Sequence, residues 1–449
     1  MQMLKLFIPE IKELLAQKNW LELRELLLEI PEPDISDLVQ ELDDSQRIVI
    51  LRLLPKNMLA EVFTHLDAKV KQDVLKAITE DETRAILAEM PPDDRTEFLE
   101  ELPGQAIQKM VTLLSAEDRK EALQLLGYPE ESVGRLMTPD YVAIRPEWTV
   151  EEALAHVRQK GMDSETTNVI YVTDKWWRLI GVLGLRRLIL AKPGDKVEDI
   201  MDTAVISVSA FDDREKAVQL IKRYDVVALP VLDASGILLG IITIDDLFDV
   251  AEEEVTEDFQ KSAAINPLKT SYRESSAFSL YANRVIWLAA LLFISVITTG
   301  IISSHTDILN SAIALAFFIP LLIGTGGNTG NQSATLMIRA LATGDIREGQ
   351  WIWAFLREIG IGVLLGATMG VASWLLGLYK GGYQIALIVS ISMVAIVMIS
   401  SLIGIVLPLI LQKLRIDPAV ASNPLIASVM DILGLLTYFF VASIILRSL

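Results

Sequence analysis

Asp431 is the residue in this chain whose setting most demands a chemical explanation. It stands in NPLIASVMDILGLLTYFFVASIIL, Asn423 to Leu446, a run otherwise apolar enough to cross a membrane. A carboxylate at bilayer depth costs several kcal/mol, about 3 on insertion scales. No Lys or Arg lies inside the run to neutralise it, and the nearest fixed charges in sequence are Asp417 and Arg447. Such a group usually faces a water-filled path or binds a cation; a protonated Asp hydrogen-bonded within a bundle is the plainer alternative. Earlier in the chain, Pro320 and four glycines (324, 326, 327, 330) interrupt a second apolar run, IPLLIGTGGNTGNQSATLMIRA. They are expected to break or loosen the helix, and freed carbonyls are tolerated at that depth only inside protein or beside water. Asn328, Asn331 and Gln332 add neutral oxygens. No Lys-Ser/Thr follows the glycines, which argues against a phosphate-binding loop. Close helix packing is the competing use of small residues, and it accounts for Gly362-x3-Gly366-x3-Gly370. The Gly/Asn segment, with Gly327 and Asn331, is expected to line a pore.

Carboxylates, amides and carbonyls are hard donors, which suit Mg²⁺, Ca²⁺ or Mn²⁺ better than Zn²⁺ or Cu²⁺. The three histidines (65, 156, 305) are scattered and cysteine is absent. A thiolate metal site, a disulfide and a cysteine nucleophile are therefore excluded. Mg²⁺ tends to keep several of its waters, so one carboxylate among neutral oxygens fits a hydrated ion. One chain offers one such carboxylate; a two-fold homodimer would bring two Asp431 to one axis.

These residues need a scaffold, and the charge distribution outlines it. The chain has 449 residues and a net charge of −19. Residues 1–284 carry 33 basic and 53 acidic side chains; residues 285–449 carry seven and six. An acidic soluble part argues against nucleic acid, which needs clustered Lys and Arg. The amphipathic start MQMLKLFIPEIKELL lacks a signal-peptide pattern, so the first part is expected to stay cytoplasmic. Residues 1–130 read as helices, with apolar spacing at Leu23, Leu26, Leu27 and Ile30 and stops at Leu54-Pro55, Met90-Pro91-Pro92 and Leu102-Pro103. LPKNMLAEVFTHLD and MPPDDRTEFLEELP look like degenerate copies of a helix pair, as in a superhelical stack. From 131 to 255 an α/β grammar occurs twice, about 131–198 and 199–255, with helices opened by Thr149 and Asp212. A polar, helix-prone connector follows at 256–283. The rest, 284–449, holds five apolar stretches near 284–303, 308–342, 351–378, 382–412 and 421–446, each long enough for a bilayer core of about 30 Å. Arg284, Arg339, Arg347, Lys413 and Arg415 fall on one side, against Lys380 and Arg447 on the other. This bias puts the N-terminal part in the cytosol and the C-terminus outside.

The repeated α/β unit resembles a tandem pair of CBS domains, over about 120 residues. Taken with GTGGNTGNQSATL (Gly324–Leu336) and DPAVASNPLIASVMDILGLL (Asp417–Leu436), nearly the whole chain resembles the MgtE family of magnesium channels. That resemblance implies a multidomain membrane protein: an α-helical superhelical N domain, an α/β tandem CBS pair, a connecting helix and a five-helix transmembrane domain. It implies a homodimeric, Mg²⁺-selective channel of the plasma membrane, multi-pass in the lipid bilayer, closed when Mg²⁺ binds its cytosolic domains. Asp431 matches the family's pore aspartate, and Asn331 and Asn423 match polar pore-side positions. Glu61, Asp93, Glu215, Asp225, Asp246, Asp249, Glu254, Glu257 and Asp258 resemble its metal-sensing carboxylates, and Asp417 the membrane-side partner of the connecting helix. Glu97 stands where the family pattern has Asp. CBS pairs often bind adenine nucleotides through Thr/Ser-x-x-Asp: the second copy has Thr243 and Asp246, so ATP is a candidate there, while the first has Arg187 at the acidic position. Competing readings are a broader divalent path (Co²⁺, Mn²⁺, Ca²⁺) and a membrane-anchored nucleotide sensor. No enzyme motif is visible.

Overall fold

The computed structural model describes residues 4–268, 272–273, 275–346 and 348–447, the side chains of 4–6 and 348 excepted. Arg347 and part of the connector thus lie outside the described residues. The chain divides into two compact units, Met1–Glu254 and Val255–Leu449.

The first unit begins with ten helices, Leu4–Gln17 to Ala116–Leu125, of which the last eight obey one period. Helices open at Glu32, Lys56, Glu80 and Gly104, and their partners at Asp44, Ala68, Pro92 and Ala116. Each repeat is therefore 24 residues long. Pro31, Pro55 and Pro103 recur as N-caps, because proline fixes φ and has no N–H to lose there. A basic residue recurs at the same place in each second helix: Arg47, Lys71, Arg95 and Arg119. Arg47, Arg95 and Arg119 each donate to the carbonyl eight residues earlier (Val39, Leu87 and Val111, at 3.0, 3.3 and 3.0 Å), satisfying helix-end acceptors that have no intrahelical partner. Leu, Ile, Val and Phe side chains such as Leu23, Ile50, Phe63, Ile86 and Phe98 fill one continuous core along the stack.

Two three-stranded sheets follow. In the first, Tyr141–Ile144 pairs parallel to Thr166–Thr173, which pairs antiparallel to Leu179–Gly184. The second repeats this order with Val208–Ser209, Ala228–Leu232 and Leu238–Thr243. Thr149 opens the first copy's helix with a full capping box to Glu152. In the second copy the cap is Asp213, one residue beyond the expected Asp212, which instead accepts from the Ser209 N–H.

The connector differs from expectation. Its helix starts at Ile244 and ends at Ser262, rather than spanning 256–283. Ala264 takes the left-handed conformation (φ 55°) that stops it, and the next helix opens at Ala277, capped by Ser276.

In the second unit, four helices among the described residues are long and apolar enough to cross a membrane: Ala277–Ser304, Ile313–Ala342, Trp351–Lys413 and Asn423–Arg447. The third is broken at Gly382, whose φ of 79° no helix accommodates. Its arms, 351–381 and 383–413, fold back antiparallel. A Cβ on Gly362, Gly366 or Gly370 would lie 3.5, 3.1 or 2.7 Å from the facing arm, at Met398, Val394 and Val394 again. The hairpin thus supplies two of the five expected stretches, and its glycine stripe is close packing.

The second stretch departs from its reading. A short helix, Thr306–Ser311, and a 3₁₀ turn, Ile313–Phe318, precede an unbroken helix Ile319–Ala342. The irregularity falls before Pro320, which takes a first-turn position where its missing N–H costs nothing. The glycines free no carbonyls. They admit neighbours: a Cβ on Gly326 would come within 2.7 Å of Ile396, and one on Gly330 within 2.8 Å of Ile426.

Candidate cation path and sensor acids

The glycine contacts fix how the helix Ile319–Ala342 meets the last helix. Gly326 and Gly330 approach Met430 and Ile426 in reverse order, and Gly327 faces Ala427, so the two run antiparallel. This register sets Asn331 level with Asn423. It sets Asp431 level with Gly324, eight residues further along its helix and thus about 12 Å away. Asp431 is half-buried, and no hydrogen bond or ion pair to another described side chain engages it. One stripe of the helix Ile319–Ala342, comprising Gly324, Asn328, Gln332 and Thr335, is exposed and polar, with the exposed Leu336 at its edge. Such a stripe suits water or protein rather than lipid. Asn331 Oδ1 is buried with no hydrogen-bond donor, an acceptor left over for a ligand or water.

The expectation of a single intramembrane carboxylate is wrong. Glu358, in the arm 351–381, is 8% exposed and accepts a 2.6 Å hydrogen bond from Ser333 Oγ. Only the fold shows that it points inward.

In the first unit the structure gathers acids at the end of the CBS pair. The helix Pro92–Glu100 meets it, with Glu100 paired to Arg135. Asp93 is raised well above the usual carboxylate range by burial, then by Asp246, Asp94 and Glu165. Burial pushes Asp246 up to about 7, with Asp245 and Asp94 adding to it and hydrogen bonds from Thr243 opposing. Glu97 reaches solvent at its edge, yet the surrounding protein strips enough water to push it up to about 7, against Lys71. Burial likewise raises Asp249, with Glu252 and Asp245 adding and His65 opposing. Glu61 acts on Asp94 and Glu165 through its charge. Asp94, Asp245 and Glu165 are members the sequence reading missed, although Asp93-Asp94 and Asp245-Asp246 are visible doublets. Among the described residues no three acids or histidines converge as a ready-made metal cage. Carboxylates held apart in this way fit an ion bound largely through its own waters.

Other expected ligands are engaged differently. Glu215 and Asp225 sit at the two ends of the helix Arg214–Tyr224, a separate element from those carrying the cluster. Glu254 pairs with Arg214 at 3.1 Å, beside Glu253 and Glu131. In the second unit Asp417 accepts from Lys261 Nζ at 2.6 Å, and Glu257 also pairs with Lys261. Asp258 is raised by burial and by Asp417. Lys261, missed in the sequence reading, stands as an internal cation in this acidic group. Thr243 Oγ1 donates to Asp246 at 2.9 Å and also to Asp245.

A helical repeat domain, a CBS pair and a polar-lined helical membrane part define a divalent-cation transporter architecture. Family models agree by segment: "MgtE intracellular N domain" matches residues 30–131, "CBS domain" 133–194 and 197–253, and "Divalent cation transporter" 319–441. The magnesium transporter MgtE of Thermus thermophilus is 41% identical over 443 residues, covering 98% of each chain, and that of Bacillus subtilis is 33% identical over 429 residues, covering 95% of each. A crystal structure of the cytosolic domain of the Mg²⁺ channel MgtE in complex with ATP is 39% identical, with a TM-score of 0.52; it covers 54% of this chain and 99% of its own. The soluble part of a magnesium transporter matches with a TM-score of 0.53 at 32% identity, over 56% of this chain and 99% of its own. The chain belongs to the MgtE family.

Proposed function

We propose that this chain transports Mg²⁺ as a membrane channel that Mg²⁺ itself closes. The observation that carries the reading is Asp431: a half-buried carboxylate in an apolar helix, without a cationic partner, two turns from Asn331 and Asn423. Two chains about a two-fold axis would place two such carboxylates against one hydrated dication; Gly327, expected to line the pore, instead packs on Ala427. The N-terminal domains lie in the cytosol and the C-terminus outside, as the charge bias supports.

The acids of the first unit are the sensor. Facing carboxylates repel by roughly 1–4 kcal/mol per close pair, depending on the dielectric. A bridging dication reverses that sign and draws the N domain onto the CBS pair; low Mg²⁺ lets them spread. Because the ligand favours one arrangement, it shifts the population. The helix Ile244–Ser262, which begins in the CBS pair, hands the change on through Glu257, Asp258 and Asp417.

Mg²⁺ flux into proteoliposomes carrying wild type or Asp431→Ala, at low and high Mg²⁺ on the cytosolic face, tests both parts. Flux that depends on Asp431 and falls at high cytosolic Mg²⁺ is expected. Flux indifferent to Asp431 overturns the pore; flux indifferent to cytosolic Mg²⁺ overturns the sensor. Competition by Co²⁺, Mn²⁺ and Ca²⁺ separates a selective path from a broad one. The ATP complex of a relative supports a further role for Thr243 and Asp246 as a ribose clamp, which calorimetry on wild type and Asp246→Asn would read.

A further inference from the structure

Glu358 has no part in the transport reading, yet it is a carboxylate buried within the membrane part, and keeping it there is costly. Its partner explains its place. Ser333 is two residues from Asn331 on the helix Ile319–Ala342, and the two project from different faces. Gly327 lies on the face that meets the last helix, where an added Cβ would be 3.6 Å from the Cβ of Ala427. Ser333 lies on the face that meets the hairpin, where a Cβ on Gly404 would be 2.8 Å from the Ser333 Cβ and 2.4 Å from the Gly330 carbonyl. The neighbouring contacts between this helix and the hairpin are close and apolar or small: Gly326 meets Ile396 and Ser400, and Gly404 meets Gly330. Small residues let the helices approach closely, and van der Waals packing of this kind supplies no directional bond. Ser400, fully buried at this seam, has a hydroxyl without a hydrogen-bond partner and adds no directional bond across it. Among the described residues, the 2.6 Å bond from Ser333 to Glu358 is the directional one across this seam.

We propose that Glu358 is a positioning residue: by accepting the Ser333 hydroxyl it fixes the rotation of the helix Ile319–Ala342 and so aims Asn331 and the polar stripe along the ion path. This rests on the pore reading given above. Glu358 itself touches no permeating ion in this account, and the hydrogen bond rather than the charge carries the effect. Glutamine, whose carboxamide oxygen also accepts, substitutes for it; leucine does not.

The absence of cysteine in the chain gives a direct readout of rotation. The Gly327 and Ala427 positions lie within the separation a disulfide spans. In full-length protein carrying Gly327→Cys and Ala427→Cys, oxidative crosslinking is measured with Glu358 intact and with Glu358→Gln, Glu358→Leu or Ser333→Ala added. Mg²⁺ flux is measured in parallel for the same changes without the cysteines, beside Asp431→Ala. Crosslinking and flux are expected to fall about tenfold for Glu358→Leu and Ser333→Ala, and to stay near the intact level for Glu358→Gln. Crosslinking unchanged in Glu358→Leu and Ser333→Ala overturns the positioning role, as does failure of Glu358→Gln to rescue while Ser333→Ala is silent. If Asp431→Ala conducts normally, the pore reading fails by itself, whatever the crosslinks show.

Discussion

Asp246 and Glu97 have their ionisation pushed up to about 7, from ordinary values of 3.8 and 4.5. A carboxyl raised by folding holds its proton in the folded state where the open chain has lost it. Stability then falls as pH rises across that interval. Without Mg²⁺, the first unit is expected to lose thermal stability between about pH 4 and pH 7. Mg²⁺ favours the ionised form and should flatten this slope; melting curves at pH 5 and 8, with and without Mg²⁺, check it. A slope that Mg²⁺ leaves unaltered would count against these acids as the sensor. Lys261 gives a second prediction at this scale. It neutralises Asp417 and Glu257 when no dication is present. Lys261→Met should leave those acids and Asp258 a stronger attraction for Mg²⁺. Flux should then shut off at a lower cytosolic Mg²⁺ concentration than in wild type, about tenfold lower if one charge-assisted contact is lost.

Among the elements, the tightest crossing is at Gly404. A methyl group there would press on the Gly330 carbonyl and on Ser333, so Gly404→Ala should destabilise the second unit by about 1–3 kcal/mol. Thermal unfolding in detergent reads this, and Gly324→Ala, which meets open space, is the matched control. The same glycines show what a sequence conveys and what it withholds. The helix period, the CBS repeat and the apolar stretches were legible, because burial imposes a pattern along the chain. Whether glycine breaks a membrane helix or seats a neighbour was not, since Gly326 and Gly330 read alike in either role and only Ile396 and Ile426 decide. Asp431 was legible because an unpaired acid in an apolar run has few explanations. Glu358 sits near the start of its stretch, beside Arg357, where an acid reads as boundary charge. Asp94, Asp245 and Glu165 become members of one cluster only through the packing of the helix Pro92–Glu100 on the CBS pair.

Across the whole molecule, the proposed path and the proposed sensor occupy different kinds of structure. The second unit carries its polar groups on close-packed helices. The first holds its acids on separate elements, among them the helices Pro92–Glu100 and Ile244–Ser262. Substitutions in the two should therefore separate: Asp431→Ala abolishing flux at every Mg²⁺ level, and Asp93→Asn with Asp246→Asn leaving flux intact but resistant to closure by cytosolic Mg²⁺. Proteoliposome flux over a Mg²⁺ series distinguishes these patterns.

The 24-residue period has its own consequence. A stack in which each rung touches only its neighbours has a stability that is approximately a sum of rung terms and nearest-neighbour terms. Opening then starts at the unsupported end and travels inward one rung at a time. Hydrogen exchange should follow a gradient, fastest near Leu4–Gln17 and slowest at the rung bearing Pro92–Glu100, which is braced by the CBS pair through Arg135. The ladder thus frays far from its acids, and ion binding at Asp93 should slow exchange most in the rungs beside it, fading toward the free end.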